Sequence, residues 1–214
     1  WVSCAPSWSC RRMRDDVRAL VALSATIAQQ DPELLETALA EAGQRATAEQ
    51  VEETLLQSYL FVGYPAALQA IGRWREMSSR PAPGPTAGNW AEWAARGAEV
   101  CSQVYGGQYE RLRENVRALH PDMEQWMVVE GYGKVLGRPG LPLPTRELCI
   151  VALLAVQRAP QQLYSHLRGA LQVGASGEDV EEALAVAGAV SGAERAALAS
   201  RVWLTVRARN AGGE

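Results

Sequence analysis

Residues 18–44 can be laid on residues 146–172 at a constant offset of 128, and no other feature narrows the possible folds as much. Arg18, Leu20, Gln29, Pro32, Leu35, Leu39, Ala42 and Gln44 then meet Arg146, Leu148, Gln157, Pro160, Leu163, Leu167, Ala170 and Gln172. One inserted residue later the offset becomes 129. Ala46, Glu49, Val51, Glu52, Glu53, Leu55, Gly63 and Ala67 now meet Ala175, Glu178, Val180, Glu181, Glu182, Leu184, Gly192 and Ala196. Thr47 falls on Ser176, and both read as helix N-caps. Alanine-rich helices align by accident, but shared proline, glycine and cap positions do not. The pattern reads as two copies of one unit, not a many-repeat solenoid.

Each copy reads as helices. In the second, Thr145 is a candidate N-cap for a helix to Gln157, broken at Ala159-Pro160. Pro160 suits the first turn of a helix ending near Gly174. Ser176, with Asp179 three residues on, opens a third helix, and Gly192 precedes a fourth running to about Val206. The first copy repeats this with Thr47 and Gln50 in the capping positions and Gly63-Tyr64-Pro65 before its fourth helix. Residues 78–89, SSRPAPGPTAGN, read as a linker. Helices follow from Trp90 to Val104, Gln108 to Leu119 and Met123 to Leu136, and RPGLPLP at 138–144 is an extended connector. No stretch alternates with a period of two, so the expected fold is all-α. The expected organisation is a first repeat at 13–77, the linker, a second repeat at 90–209 and a tail at 210–214.

The segment LCIVALLAV, 148–156, is apolar on every side and must be covered all round, by its own bundle or by another subunit. Burying so short an apolar helix in a small unit predicts an oligomer. No apolar run approaches the roughly 20 residues that span a bilayer, so no membrane partner is expected. A net charge of −3 argues against nucleic acid, whose phosphates need a basic face. Four cysteines in 214 residues are too few for a disulfide scaffold, which makes a reducing, cytoplasmic setting the expectation. None forms C-x-x-C, and with two histidines no metal spacing is present, so neither metal nor cofactor is expected. Residues 1–12, WVSCAPSWSCRR, have no amphipathic period and no signal-peptide layout, and read as an extension or appended segment before a fold that starts near Met13.

RGAEVCSQVYGG (96–107), VVEGYGKVLGRPGLPLPTREL (128–148) and SHLRGALQVGASGEDVEEAL (165–184) together resemble the carboxymuconolactone decarboxylase family. VEETLLQSYLFVGYPAALQAI (51–71) is similar to that family's C-terminal segment. The resemblance implies an all-α fold of two fused helical units and ring-like assemblies, here a trimer of two-copy chains. It also implies either lactone decarboxylation or thiol-type alkylhydroperoxidase activity. The peroxidases of this group carry a glutamate, then C-x-x-C, then a histidine. Glu147 and His166 stand nineteen residues apart as that pattern asks, but the two cysteine positions hold Ala159 and Gln162. Thiol chemistry needs an attacking thiolate and a resolving partner, so the peroxidase reading is the weakest. Ala19 and Thr37 or Ala38 stand at the corresponding positions of the first copy, which reads as degenerate.

For antiparallel helices joined near residue 159, Glu147 would lie about 18 Å and His166 about 10 Å from the turn, at 1.5 Å per residue. Two side chains and a water could close the remaining gap of about 8 Å. Histidine titrates near neutrality and suits proton transfer. In a lactone decarboxylation, loss of CO2 leaves an electron-rich carbon that must gain a proton. His166 and Glu147 are therefore the candidate catalytic residues on a small-molecule substrate. Arg168 and Arg146 are candidates to hold its carboxylates, with Glu130 and Tyr132 as further candidates to line the site. Trp126 reads as core, not a substrate platform. The competing reading is a non-catalytic oligomeric binding or scaffold protein.

Overall fold

A computed structural model describes residues 12–211, so the segment 1–11 lies outside the described residues. Ten helices follow one another, without a strand among the described residues: α1 (Asp15–Gln29), α2 (Pro32–Arg45), α3 (Ala48–Ser78), α4 (Trp90–Tyr105), α5 (Tyr109–Leu119), α6 (Pro121–Trp126), α7 (Leu143–Gln157), α8 (Pro160–Gln172), α9 (Gly177–Ser191) and α10 (Ala193–Ala211). The protein is all-α.

Local chemistry sets these boundaries. Thr47 with Gln50, Asn89 with Glu92 and Ser176 with Asp179 form reciprocal capping boxes, each satisfying two otherwise orphaned amides. Asp31 accepts from the amides of Glu33 and Leu34 ahead of Pro32. Gln30 and Arg158 close α1 and α7 in the left-handed region, at φ 60 and φ 59. Gly63 (φ 76, ψ 171) breaks α3, and Gly192 (φ 89, ψ 170) separates α9 from α10, both angles that only glycine adopts freely.

The helix expected from Met123 to Leu136 begins earlier and changes pitch. Its N-cap is His120, whose Nδ1 accepts from the Asp122 amide, and α6 runs on into a π-helical stretch, Met127–Leu136. This stretch packs on α4 with no room for a side chain at the crossing. A Cβ at Gly97 would lie 2.0 Å from the Val128 carbonyl oxygen, and one at Gly133 would lie 1.9 Å from that of Trp93.

Helix α7 is the centre of the fold. Every residue from Thr145 to Val156 is buried, against α1, α8, α9, α3 and α10 of the same chain. The all-round apolar helix therefore needs no second subunit to cover it, and this corrects the reason for expecting one. Among the described residues, ion pairs that cross between the halves of the chain include Arg18 to Glu182 at 3.0 Å, and Arg146 and Arg138 to Glu53, each at 2.8 Å. Among the described residues no helix is long and apolar enough to cross a membrane.

Candidate active site

Glu147 occupies the second turn of α7 and His166 the second turn of α8, on antiparallel neighbours. They meet directly. His166 Nδ1 lies 2.8 Å from Glu147 Oε2, with no water required across the gap. Gly169 makes the approach possible, because a Cβ there would stand 3.1 Å from Glu147 Oε2 and 2.7 Å from Val104 Cγ1. Thus the glycine of the H-x-R-G string clears space for the carboxylate that holds the histidine. Glu147 is fully buried, and its Oε1 meets no hydrogen-bond donor among the described residues. An isolated carboxylate oxygen in such a place is costly, and groups of this kind concentrate at functional sites.

With Nδ1 engaged, Nε2 is the nitrogen left to meet a substrate. His166 is 7% exposed, and that remainder faces a cavity of about 530 Å³. Phe61 places its edge on the imidazole at a centroid separation of 5.7 Å, and the Tyr105 ring lies 6.4 Å away. Leu60, Met127, Leu136 and Trp126 complete an apolar wall, and the volume is in the range of small-molecule sites.

The other sequence candidates divide. Glu130 and Tyr132 share the cavity wall with His166. Glu130 accepts a hydrogen bond from the Tyr59 hydroxyl at 2.9 Å. Burial, and then the carboxylate, push the Tyr59 phenol well above its ordinary range. Tyr132 is buried and bonds through its hydroxyl to that of Tyr105 at 3.0 Å. Arg146 is not at the cavity, which corrects its assignment to substrate. Its guanidinium is fully buried between Glu53, the Gln57 side chain and the carbonyls of Leu141, Arg138 and Pro139, and burial lowers its pKa. All its donors are spent on holding α3 and the connector to α7. Arg168 also misses the cavity. It lies 5.9 Å from the Tyr164 ring centroid and lines a neighbouring pocket of about 340 Å³ with Gln108, Arg111 and Asn115. Among the described residues no arginine or lysine lines the His166 cavity. Trp126, expected in the core, is 49% exposed on the cavity wall.

Sequence reasoning missed Tyr105 and Phe61. Tyr105 sits in a segment that resembles the family, but nothing in its spacing marks a role. Phe61 comes from the half of the chain that has no acid–imidazole pair, and only the packing of α3 reveals it.

Among the described residues the cysteines are Cys101 and Cys149, both free and buried, and neither lines the cavity. Burial pushes the Cys101 thiol up to about 12, with Glu147 adding to it, and the Cys149 thiol up to about 11. No group of three or more His, Cys, Asp or Glu side chains among the described residues is placed to hold a metal.

The fold and site define an all-helical protein with a buried carboxylate–imidazole pair on the wall of an apolar cavity. Residues 121–204, which include both members of the pair, match the model of the Carboxymuconolactone decarboxylase family. A 4-carboxymuconolactone decarboxylase of Acinetobacter baylyi is 31% identical over 88 residues, 41% of this chain and 66% of that protein. Peroxisomal protein 2 of Schizosaccharomyces pombe is 31% identical over 145 residues, 64% of this chain and 66% of that protein. Through this region the chain is similar to the carboxymuconolactone decarboxylase family. It spans 66% of the length of each of these two relatives.

Proposed function

We propose that the protein is a cofactor-free, decarboxylase-like enzyme that acts on a small lactone or related acid by proton transfer through His166. One observation carries this reading: the 2.8 Å Glu147–His166 pair, which leaves one imidazole nitrogen unengaged, sits on the wall of a largely apolar cavity. In the reaction the bond between the substrate carbon and its carboxylate breaks. CO2 leaves, and the electron pair moves into the conjugated lactone carbonyl. Imidazolium Nε2 then gives its proton to the carbon, and the neutral imidazole is reprotonated from solvent. Glu147 fixes the ring and its tautomer and stabilises the imidazolium, as a buried carboxylate does for a catalytic histidine. A wall without arginine or lysine suits a step that converts a bound anion into neutral CO2.

The test is CO2 release from a panel of carboxylated lactones, with the wild type beside His166→Gln. Loss of the acid–base group should lower kcat by about 10²-fold or more. Turnover that survives the substitution unchanged would remove His166 from the mechanism. The second reading, a non-catalytic binding member, draws on the missing arginines, and saturable ligand binding without turnover would favour it. Peroxide reduction has little support, given two buried thiols pushed up to about 12 and about 11 away from the cavity.

The two-copy reading gains support from matched details. Gln30 and Arg158, offset by 128, share the left-handed cap, and Gly63 and Gly192, offset by 129, share φ and ψ within 13° and 1° (89 − 76 and 171 − 170). Trp74 donates to Glu52 and Trp203 to Glu181 at 3.1 and 3.0 Å, again at offset 129. The ion pairs Arg18–Glu182 and Arg146–Glu53 are reciprocal under the same offsets, as two related units facing each other would make them. The assembly proposed from the resemblance is a homo-oligomer, a trimer of such chains, and light scattering reads it directly.

A further inference from the structure

A negative charge that develops on a substrate oxygen in this cavity needs a donor, and the usual cationic candidates are elsewhere. The side chains on the wall with polar atoms are His166, Glu130, Gln161, Gln162, Ser165, Tyr132, Tyr105 and Trp126, whose indole is 49% exposed to water. His166 has its own task. Glu130, as a carboxylate, only accepts. Ser165 donates back to the Gln161 carbonyl at 3.3 Å, and both glutamines are exposed to water.

The tyrosine pair decides the matter. Tyr132 is 3% exposed, and the Tyr105 hydroxyl, 3.0 Å away, is its one hydrogen-bond partner. A buried hydroxyl with a single partner must donate to it, because the alternative leaves its proton orphaned. Tyr105 therefore accepts from Tyr132. Its own proton has no acceptor among the described residues, and its ring is only part-buried, on the wall it shares with His166. A hydroxyl that accepts one hydrogen bond is polarised into a stronger donor of the next.

We propose that Tyr105 is a catalytic residue whose hydroxyl donates a hydrogen bond to the substrate oxygen that gains negative charge, and that Tyr132 is the residue that positions and polarises it. This rests on the proton-transfer reading of His166. The electron pair released with CO2 settles on the carbonyl oxygen as an enolate, and Tyr105 holds that oxygen without giving up its proton. The proton that completes the reaction comes from His166 to carbon. Burial, reinforced by the Glu147 charge on Tyr105 and by the neighbouring phenol on Tyr132, raises both phenols, so each stays a donor throughout the neutral range.

The experiment uses the full chain and 4-nitrophenol, a planar probe whose phenolate mimics an enolate and whose absorbance reports its ionisation. The wild type should bind the phenolate form, and Tyr105→Phe should weaken that binding by about tenfold or more. On a substrate that turns over, Tyr105→Phe should lower kcat by about 10- to 100-fold with KM little changed. Tyr132→Phe should give a smaller loss in the same parameter, about 3- to 10-fold, and leave KM alone, a split that loose packing would not produce. Equal urea midpoints for the three proteins establish that each is folded. Should the wild type fail to bind 4-nitrophenolate, or should Tyr105→Phe bind it as tightly, the assignment is overturned. The probe separates the two claims: discriminating binding with no lactone turnover would sink the enzymatic reading alone.

Discussion

At the scale of single residues, the contrast between Arg146 and Glu147 shows how far adjacency in sequence misleads. They are neighbours near the start of α7, both fully buried, yet they serve different partners. Glu147 holds the imidazole, whereas Arg146 bridges Glu53, Gln57 and three carbonyls, with Arg138 gripping the same Glu53 carboxylate. Arginine's planar fork suits this kind of bridge, and lysine could not reproduce it. Breaking one side of a buried ion pair leaves an uncompensated charge and orphaned acceptors. Arg146→Ala should therefore cost about 3 kcal/mol of folding stability, since Arg138 still shields Glu53. Urea denaturation measures the cost, and an unchanged midpoint would show the network to be idle. Sequence alone could supply arginine's preference for carboxylates, but not which carboxylate, because Glu53 is 93 residues away.

At the scale of elements, the helix boundaries were readable where short-range chemistry sets them. Thr47 with Gln50, and Ser176 with Asp179, are complete statements within four residues, and the backbone obeys both. The pitch of residues 127–136 was not readable, because it answers to a neighbour. Gly97 and Gly133 bring α4 and the π-helical stretch together so closely that each Cβ position is filled by the other's carbonyl. The spacing of Gly131, Gly133 and Gly137 loosely imitates a glycine-rich loop, yet Gly133 answers to helix packing. Gly133→Ala must push the two helices apart, against an interior with no slack. A loss of about 2 kcal/mol or more follows, seen as a lower urea midpoint. Since the same stretch carries Glu130 and Tyr132, the displacement should also weaken ligand binding in the cavity. Gly72→Ala on α3, with nothing within 4 Å of its Cβ position and no place on the cavity wall, is the control expected to keep the cavity intact.

At the scale of the whole molecule, the two halves of the chain line one cavity. The Glu147–His166 pair was legible from its spacing, but the wall opposite it was not, because Leu60 and Phe61 come from α3, in the half without such a pair. The shared burial has a consequence that the folded state must bear as a unit. Cys149 is held up to about 11 and Cys101 up to about 12 by burial, from an ordinary value of 9.0. The buried phenols of Tyr105 and Tyr132 are raised as well, from 10.0. For every one of these groups the folded state favours the neutral, protonated form. Above pH 9 the unfolded chain loses protons that the folded chain keeps, so the unfolded state binds fewer and stability falls as pH rises. Below the unfolded values the same groups contribute no slope. Under reducing conditions the urea midpoint should stay level from pH 7.5 to 8.5 as far as these groups are concerned, then decline from above pH 9 through 10.5. Thiols ionise before phenols, so Cys149→Ala should flatten the first part of that decline and leave the later part to the tyrosines. A midpoint that holds to pH 10.5 would mean that water reaches these side chains in the folded state, and the closed interior around α7 would have to be abandoned.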